Sequence, residues 1–401
     1  MNSSCAATFV RSASRTSVAS AGPKHVRAYS SLPRPYRFHV GASWAGKPHD
    51  PRGPRVKTSP FPPDSPIGKW RDQMLSKPNA PAGKHIGEDF FYVQDLVTLC
   101  VPALRLMFLV LLLKGISLGV ADGVGGWTES GVDPSLFSQA LMYHAHRYSK
   151  AAWPGEPEVD PTQEYEEREQ VEGWELTPLE CLESAYGGVL RERNVVAGSS
   201  TACVMTLNAS NGLLRAANLG DSGFLVIRAS SVVYQQRSQT HFFNCPKQLS
   251  KLPTSQKRFS RACVDHPSDA DLCEMKLRHG DIVIAYTDGL SDNVFPAEMV
   301  AICSLVARQF QLSKRTITST GEQETEQVSE DLEAQAMAER IVDYARMCMF
   351  NHKRVSPFER AAAREGMYFR GGKVDEYVLV SLIRDCTTIL TSMLASLSSS
   401  P

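Results

Sequence analysis

Four acidic positions in this chain stand where an apolar or glycine-rich run ends. They are Glu88-Asp89 after Gly87, Asp122 between Leu118-Gly119-Val120-Ala121 and Gly123, Asp288 between Thr287 and Gly289, and Asp375 after Gly371-Gly372-Lys373-Val374. A carboxylate at the end of a buried strand carries a heavy desolvation cost unless a cation or a donor meets it. Several such ends converging from distant sequence form a hard, all-oxygen site. That chemistry suits Mg²⁺ or Mn²⁺, which keep several waters and need few protein ligands. Glycine after Asp permits a tight turn. A single Asp-Gly is ordinarily only a turn, so the constraint lies in the set.

The surrounding sequence reads as strands and helices in separate runs. Thr201–Leu207, Leu213–Leu219, Gly223–Arg228, Asp281–Thr287 and Tyr377–Ile383 carry strand patterns, and Asn211-Gly212 marks a hairpin turn between the first two. Helical periodicity covers Pro134–Lys150, Pro178–Arg193, Ala297–Phe310 and Ser329–Met349, with Pro134 and Pro178 suited to first turns. Hairpin-type strands with helices bunched elsewhere indicate an α+β fold. Gly155–Glu175 and Ser313–Glu330 are polar and read as solvated loops. The 43 basic and 43 acidic residues cancel, which argues against a nucleic-acid-coating protein. The 10 cysteines form no C-x-x-C pair, so a zinc ribbon and a disulfide framework are both poorly supported; most read as reduced apolar residues.

Met1–His49 contains no Asp or Glu but carries Arg11, Arg15, Lys24, Arg27, Arg34, Arg37 and Lys47. A basic, Ser-rich, acid-free start matches a mitochondrial transit peptide, assigned here to residues 1–29, with Arg27-Ala28-Tyr29-Ser30 as the cleavage region. A matrix location is expected, with a membrane-anchored form as the alternative. Residues 30–83 read as a disordered Pro-rich linker, with folded structure beginning near Ile67. Residues 387–401 read as a tail.

Six runs occur in an order that resembles the metal-dependent protein phosphatase family of the protein phosphatase 2C type. They are Gly87-Glu88-Asp89, Gly119–Trp127, Gly198-Ser199-Ser200-Thr201-Ala202, Ala217–Gly223, Thr287–Asn293 and Gly371–Glu376. The Gly-Val-Gly-Gly-Trp variant and the basic N-terminus look most like its mitochondrial subgroup. The resemblance spans residues 84–386 and implies a four-layer α-β-β-α sandwich with two central antiparallel sheets. It also implies metal-dependent hydrolysis of phosphoserine and phosphothreonine in proteins by a metal-bridged water, acting as a monomer on phosphoprotein substrates.

Carried over position by position, the resemblance has Asp122 bridge two metals and Asp288 and Asp375 hold the first. Glu88 and the Gly123 carbonyl would hold the second, and Asp89 would act through water. Asp221 and Asp292 match positions for a third, weaker metal. Lys84 stands where the family has its phosphate-binding Arg, without the bidentate fork. Val124 replaces a frequent His that acts as general acid; His85, His144 and His146 are near in sequence but read as surface histidines. Glu376 follows Asp375 where the family prefers Asp or Asn, which alters the support of that ligand.

Residues 95–117 form an atypical apolar insertion. Leu96–Leu113 reaches the lower limit of a membrane span, yet Arg105 would cost about 2.5–3.5 kcal/mol in lipid. Three readings stay open: retained non-coding sequence, a membrane anchor, or a buried helix or strand pair. The first two would disrupt the hairpin joining Glu88 to Asp122. They leave a pseudophosphatase or membrane-tethered binding protein on the same fold as the alternative function. A phosphatase for small phosphate esters is a weaker third.

Overall fold

The computed structural model describes residues 36–47, 61–76, 86–100, 110–151, 176–209, 211–253, 263–317 and 324–386. The transit-like segment 1–29, the acidic loop 155–175 and the tail 387–401 lie outside them. In chain order the strands are β1 (Tyr36–Ala45), β2 (Phe90–Cys100), β3 (Val110–Ala121), β4 (Gly198–Ser200), β5 (Ala202–Asn208), β6 (Leu213–Leu219) and β7 (Gly223–Arg228). They continue with β8 (Ser231–Gln235), β9 (Thr240–Phe242), β10 (Cys245–Pro246), β11 (Leu249–Lys251), β12 (Asp271–Lys276), β13 (Ile282–Tyr286) and β14 (Tyr377–Cys386). The helices are α1 (Pro66–Leu75), α2 (Pro134–Ala151), α3 (Pro178–Arg191), α4 (Asp288–Asn293), α5 (Pro296–Ile317), α6 (Glu324–Met349) and α7 (Pro357–Arg364).

Two antiparallel five-stranded sheets form the centre, in the orders β1-β14-β13-β7-β8 and β12-β6-β5-β3-β2. Helices α5 and α6 cover the first sheet, while α2 and α3 cover the second. The pleat explains why the strand sequences look apolar throughout. Phe224, Val226, Val283, Val378 and Val380 enter the core between the sheets. Their neighbours Leu225, Ile227, Ile284, Tyr286 and Leu379 enter a second core beneath α5 and α6. Both faces of this sheet are buried, so simple polar–apolar alternation is lost.

Strand β1 corrects the expectation that residues 30–83 are linker and that structure starts near Ile67. It pairs with β14 along its whole length, from Tyr36↔Cys386 to Ala45↔Tyr377. Phe38, Val40, Ala42 and Trp44 alternate and join the inter-sheet core, with Trp44 against Phe91 at 5.3 Å between ring centroids. Gly41 is needed because a Cβ there would lie 2.4 Å from the α6 backbone at Ala334. Helix α1 also falls within 30–83; it is capped by Ser65, opened by Pro66 and anchored by Trp70 on Phe90. The Ser313–Glu330 loop is shorter than expected, because α5 runs to Ile317 and α6 starts at Glu324.

The backbone of 95–117 settles on a strand pair wherever it is described. β2 and β3 pair from Phe90↔Ala121 to Cys100↔Val110, with a bulge between Leu96 and Val97. Residues 101–109 lie outside the described residues. The hairpin end that carries Glu88 and Asp122 is therefore in register, rather than disrupted. No helix among the described residues is long and apolar enough to cross a membrane.

One ion pair ties α5 and α6 to the loop that follows them. Glu298 accepts from Arg354 Nη1 at 2.7 Å, Tyr344 Oη at 2.8 Å and the Phe295 amide at 2.9 Å. Burial acts to raise its pKa, but these donors outweigh burial and bring it from 4.5 down to about 2. A folded-state value below the unfolded one gives stabilisation that is complete above about pH 4.5 and is lost as pH falls toward about 2. Glu298→Gln is expected to lower unfolding free energy at pH 7 by roughly 1–3 kcal/mol. It should also flatten the pH dependence between about 4.5 and about 2, read by urea unfolding at stepped pH. An unchanged slope would show that Glu298 does not carry this acid sensitivity.

Candidate metal centre

Sheet register brings the acidic strand ends to one edge of the sandwich. Asp122 follows the end of β3, whose Ala121 pairs with Phe90 at the start of β2, just after Glu88-Asp89. Val120 of β3 pairs with Cys203 of β5, and Ala202 pairs with Leu219 at the end of β6, just before Asp221. In the other sheet Tyr286 ends β13 opposite Gly223 of β7 and Leu379 of β14, which places Asp288 between Asp221 and Asp375. Asp292 lies one helical turn beyond Asp288 on α4 and shares its face.

The side chains gather into two linked groups. Asp122, Asp221 and Asp288 each offer an oxygen with all three within 4.8 Å of one another, and so do Asp288, Asp292 and Asp375. Asp288 belongs to both. The ammonium of Lys373 stands among the second group, 2.8 Å from Asp288, 2.7 Å from Asp292 and 3.0 Å from Asp375. Glu88 is not in either triplet. It meets Lys47 Nζ at 3.1 Å, and Lys47 also reaches Glu376 at 3.5 Å. Glu376 accepts the Glu88 amide at 3.0 Å.

The frame behind these groups is hydrogen-bonded throughout. Asp89 is buried and accepts from Thr287 Oγ1 at 2.7 Å, while that oxygen accepts the Val378 amide at 3.0 Å. The Asp122 amide donates to Thr201 Oγ1, and the Asp122 carbonyl accepts from Ser200 Oγ at 2.7 Å. The indole of Trp127 donates to Ser199 Oγ at 2.7 Å. Asn293 donates to the Gly289 and Lys373 carbonyls and accepts the Lys373 amide, locking the loop that carries Asp375. A Cβ on Gly289 would sit 1.8 Å from the Glu376 carbonyl oxygen, so only glycine permits this approach. The Ser, Thr and Asn residues of the sequence runs thus act as struts for the carboxylates.

Charge does not balance at this edge. Eight carboxylates (Glu88, Asp89, Asp122, Asp221, Asp288, Asp292, Asp375 and Glu376) face two ammonium groups, Lys47 and Lys373, among the described residues. Burial and then neighbouring carboxylates raise the pKa values of Asp89, Asp122 and Asp221 well above the usual range. Burial, and then the Glu88 carboxylate, push Glu376 up to about 8. Burial pushes Asp292 up to about 7 despite Lys373. Asp288 alone in this set is lowered, because Lys373 and hydrogen bonds outweigh its burial. Asp221 Oδ1 is buried without a hydrogen-bond partner. Carboxylate oxygens in excess, an orphaned one among them, and an ammonium at their centre fit a site for hard divalent cations.

Two histidines weighed as proton donors serve packing instead. His144 is buried rather than exposed; it contacts Glu192 at 3.1 Å and lies against Gly188 of α3. His146 packs against Trp70 and Tyr92. Lys84 and His85 lie outside the described residues. Lys47, Lys373 and Glu376 were not assigned roles from sequence. Lys373 lies inside the Gly371–Glu376 run, and Glu376 is the departure from the family's pattern there. Lys47 was hidden by the linker assignment of its segment.

Fold and carboxylate edge together point to the class of metal-dependent phosphatases that the sequence runs resemble. No protein-family model matches the chain. It is 36% identical over 271 residues to the protein phosphatase PTC7 homolog of Xenopus laevis, covering 67% of this chain and 77% of that protein. It is 35% identical over 271 residues to the protein phosphatase PTC7 homolog of Homo sapiens, covering 67% and 76%. It is similar in fold to the photosystem II phosphatase PBCP, with a TM-score of 0.52 and 22% identity over 86% of this chain and 98% of that one. The chain belongs to the PTC7 group of 2C-type serine/threonine protein phosphatases.

Lys373 stands in for positive charge that the carboxylates require. Lys373→Met is expected to lower the stability of metal-free protein by roughly 3–5 kcal/mol, the cost of stripping the partner from buried charge. Added Mn²⁺ should then raise the thermal midpoint more in the variant than in the parent chain. Equal Mn²⁺ shifts in both would show that the ammonium and the cation do not share the site.

Proposed function

We propose that this chain hydrolyses phosphoserine and phosphothreonine esters in mitochondrial proteins, with two Mg²⁺ or Mn²⁺ ions held by the converged carboxylates. The carrying observation is the pair of three-carboxylate groups that share Asp288 at one sandwich edge. In this reading Asp122, Asp288 and Asp375 would hold the first ion, and Asp122, Glu88 and the Gly123 carbonyl would hold the second. Asp89 would support an ion through water, and Asp221 and Asp292 would serve a weaker third position. Bound there, divalent ions supply charge against the phosphoryl oxygens and acidify water at neutral pH.

The chain's own residues do the positioning. Thr201 and Ser200 fix the Asp122 backbone, Thr287 fixes Asp89, and Asn293 fixes the Asp375 loop. The Lys47 side chain is 40% exposed beside Glu88 and, among the described residues, is a cation placed to face an incoming phosphoryl group. Burial acts to lower its pKa, but Glu376 and Glu88 outweigh burial and raise it, so it stays charged at neutral pH. Hydrolysis breaks the ester P–O bond, water supplies the new P–O bond, and the serine or threonine oxygen leaves with a proton. Val124 has none to give, so that proton comes from solvent.

Phosphate release from a phosphothreonine peptide should require Mn²⁺ or Mg²⁺ and stop with EDTA. Asp122→Asn should cost more than about 100-fold, since even outer-sphere partners of a metal site cost 10–100-fold. Turnover that survives EDTA, or full activity in Asp122→Asn, would refute the mechanism.

The acid-free, basic residues 1–29 support a matrix address. Isolated mitochondria should import and shorten the full chain only while their membrane potential is intact. Import that persists after uncoupling, or none at all, would overturn that address.

A further inference from the structure

Cys245, in β10, and Cys263, in the segment between β11 and β12, meet side by side. Their sulfurs are 3.8 Å apart, both part-exposed and both free thiols, although 18 positions separate them. Each is held from its own side. Cys245 pairs with Phe242 across the β9–β10 hairpin, and two residues on the Lys247 amide donates to the Gln239 carbonyl at 3.0 Å. The Cys263 carbonyl accepts from Ser250 Oγ at 2.9 Å. Two residues on, the Asp265 amide donates to the Gln248 carbonyl at 3.0 Å, and Asp265 Oδ2 accepts the Gln248 amide and faces His241 at 2.9 Å. The sulfurs therefore need to close by about 1.8 Å to reach bonding distance. Cys181, Cys203 and Cys303 are buried, and burial raises their thiols far above the reactive range.

We propose that Cys245 and Cys263 form a reversible intramolecular disulfide, with a low-molecular-weight disulfide such as oxidised glutathione as the oxidant. One cysteine thiolate attacks a glutathione sulfur, forming a mixed disulfide and releasing one glutathione thiol. The second cysteine thiolate then displaces the other glutathione and closes the protein disulfide. The protein loses two hydrogens and two electrons, and two glutathione thiols receive them. Burial, then the neighbouring thiol, push Cys245 up to about 11. It is thus a poor first nucleophile and suits the closing step, where contact replaces acidity.

The bond would staple the segment that braces the candidate metal centre. Gln248, between the two cysteines, accepts from Ser199 Oγ, the partner of the Trp127 indole. Leu249–Lys251 pairs with Gly198–Ser200, and Ser200 holds the Asp122 carbonyl. Closing this loop restricts the unfolded chain. Oxidation should therefore stiffen the wall behind Asp122 and raise the thermal midpoint by a few degrees.

The test equilibrates the full chain in reduced/oxidised glutathione buffers, then alkylates, digests and maps peptides by mass spectrometry. A linked pair containing Cys245 and Cys263, lighter by two hydrogens than its free peptides and released by dithiothreitol, is expected. The midpoint should rise in parallel, and Cys263→Ser should show neither change. Finding both cysteines alkylated or singly glutathionylated across the oxidising buffers would overturn the proposal, as would indiscriminate pairing with other cysteines. Mapping on the unsubstituted chain keeps the proposal testable if Cys263→Ser fails to fold.

Discussion

Repulsion among carboxylates at one edge of the sandwich governs the rest of the structure. Two ionised carboxylates 4.8 Å apart repel by about 3–4 kcal/mol at an effective dielectric of about 20. A few such pairs equal the whole folding free energy of an ordinary domain, about 5–15 kcal/mol. An edge that gathers eight of them is tenable only with protons or cations between them. Lys373 at the heart of one triplet and the upward pressure on Asp89, Asp122 and Asp221 are two signs of the same deficit. Stability and cation binding are therefore coupled through the same atoms.

The hydroxyl and amide struts gain meaning from that deficit. A loop bearing unbalanced charge would splay toward solvent unless its backbone were tied. Thr201 and Ser200 hold the turn after β3, Thr287 spans from β13 to Asp89 and the β14 backbone, and Asn293 grips the segment before β14. Each ties together elements remote in sequence, so the edge moves as a unit or not at all. Glycine at 289 belongs to the same device, since it lets the α4 start press against the Glu376 carbonyl.

Much of this was legible in the sequence, and the failures have identifiable causes. β6 and β7 are legible to the residue because the Asn211-Gly212 turn opens the first and Phe224 and Val226 favour a pleated surface in the second. The acidic strand ends could be read as a set because each ends an apolar or glycine-rich run. β1 was missed because it lies in a basic, acid-free segment, and charge overrode the alternation of Phe38, Val40, Ala42 and Trp44. The polar stretch before α6 was assigned to a loop because its helix starts without an apolar face. His144 read as exposed, yet its burial depends on Gly188, a contact between α2 and α3 that neither helix reveals alone. The roles of Lys47 and Lys373 depend on what lies across from them, and no local pattern records that.

The missed strand explains how distant sequence completes the site. β1 runs antiparallel to β14 with Ala45 opposite Tyr377. Two residues past that pair on one side is Lys47, and two residues before it on the other is Asp375. Register alone thus carries Lys47 to Glu376 and Glu88. A slip of one residue would send Trp44 out of the inter-sheet core and turn the lysine away from the carboxylates together. The burial of Trp44 at 2% exposure makes that slip costly. The same hydrophobic contact that seats β1 therefore fixes a cation at the charged edge, and packing sets the electrostatics.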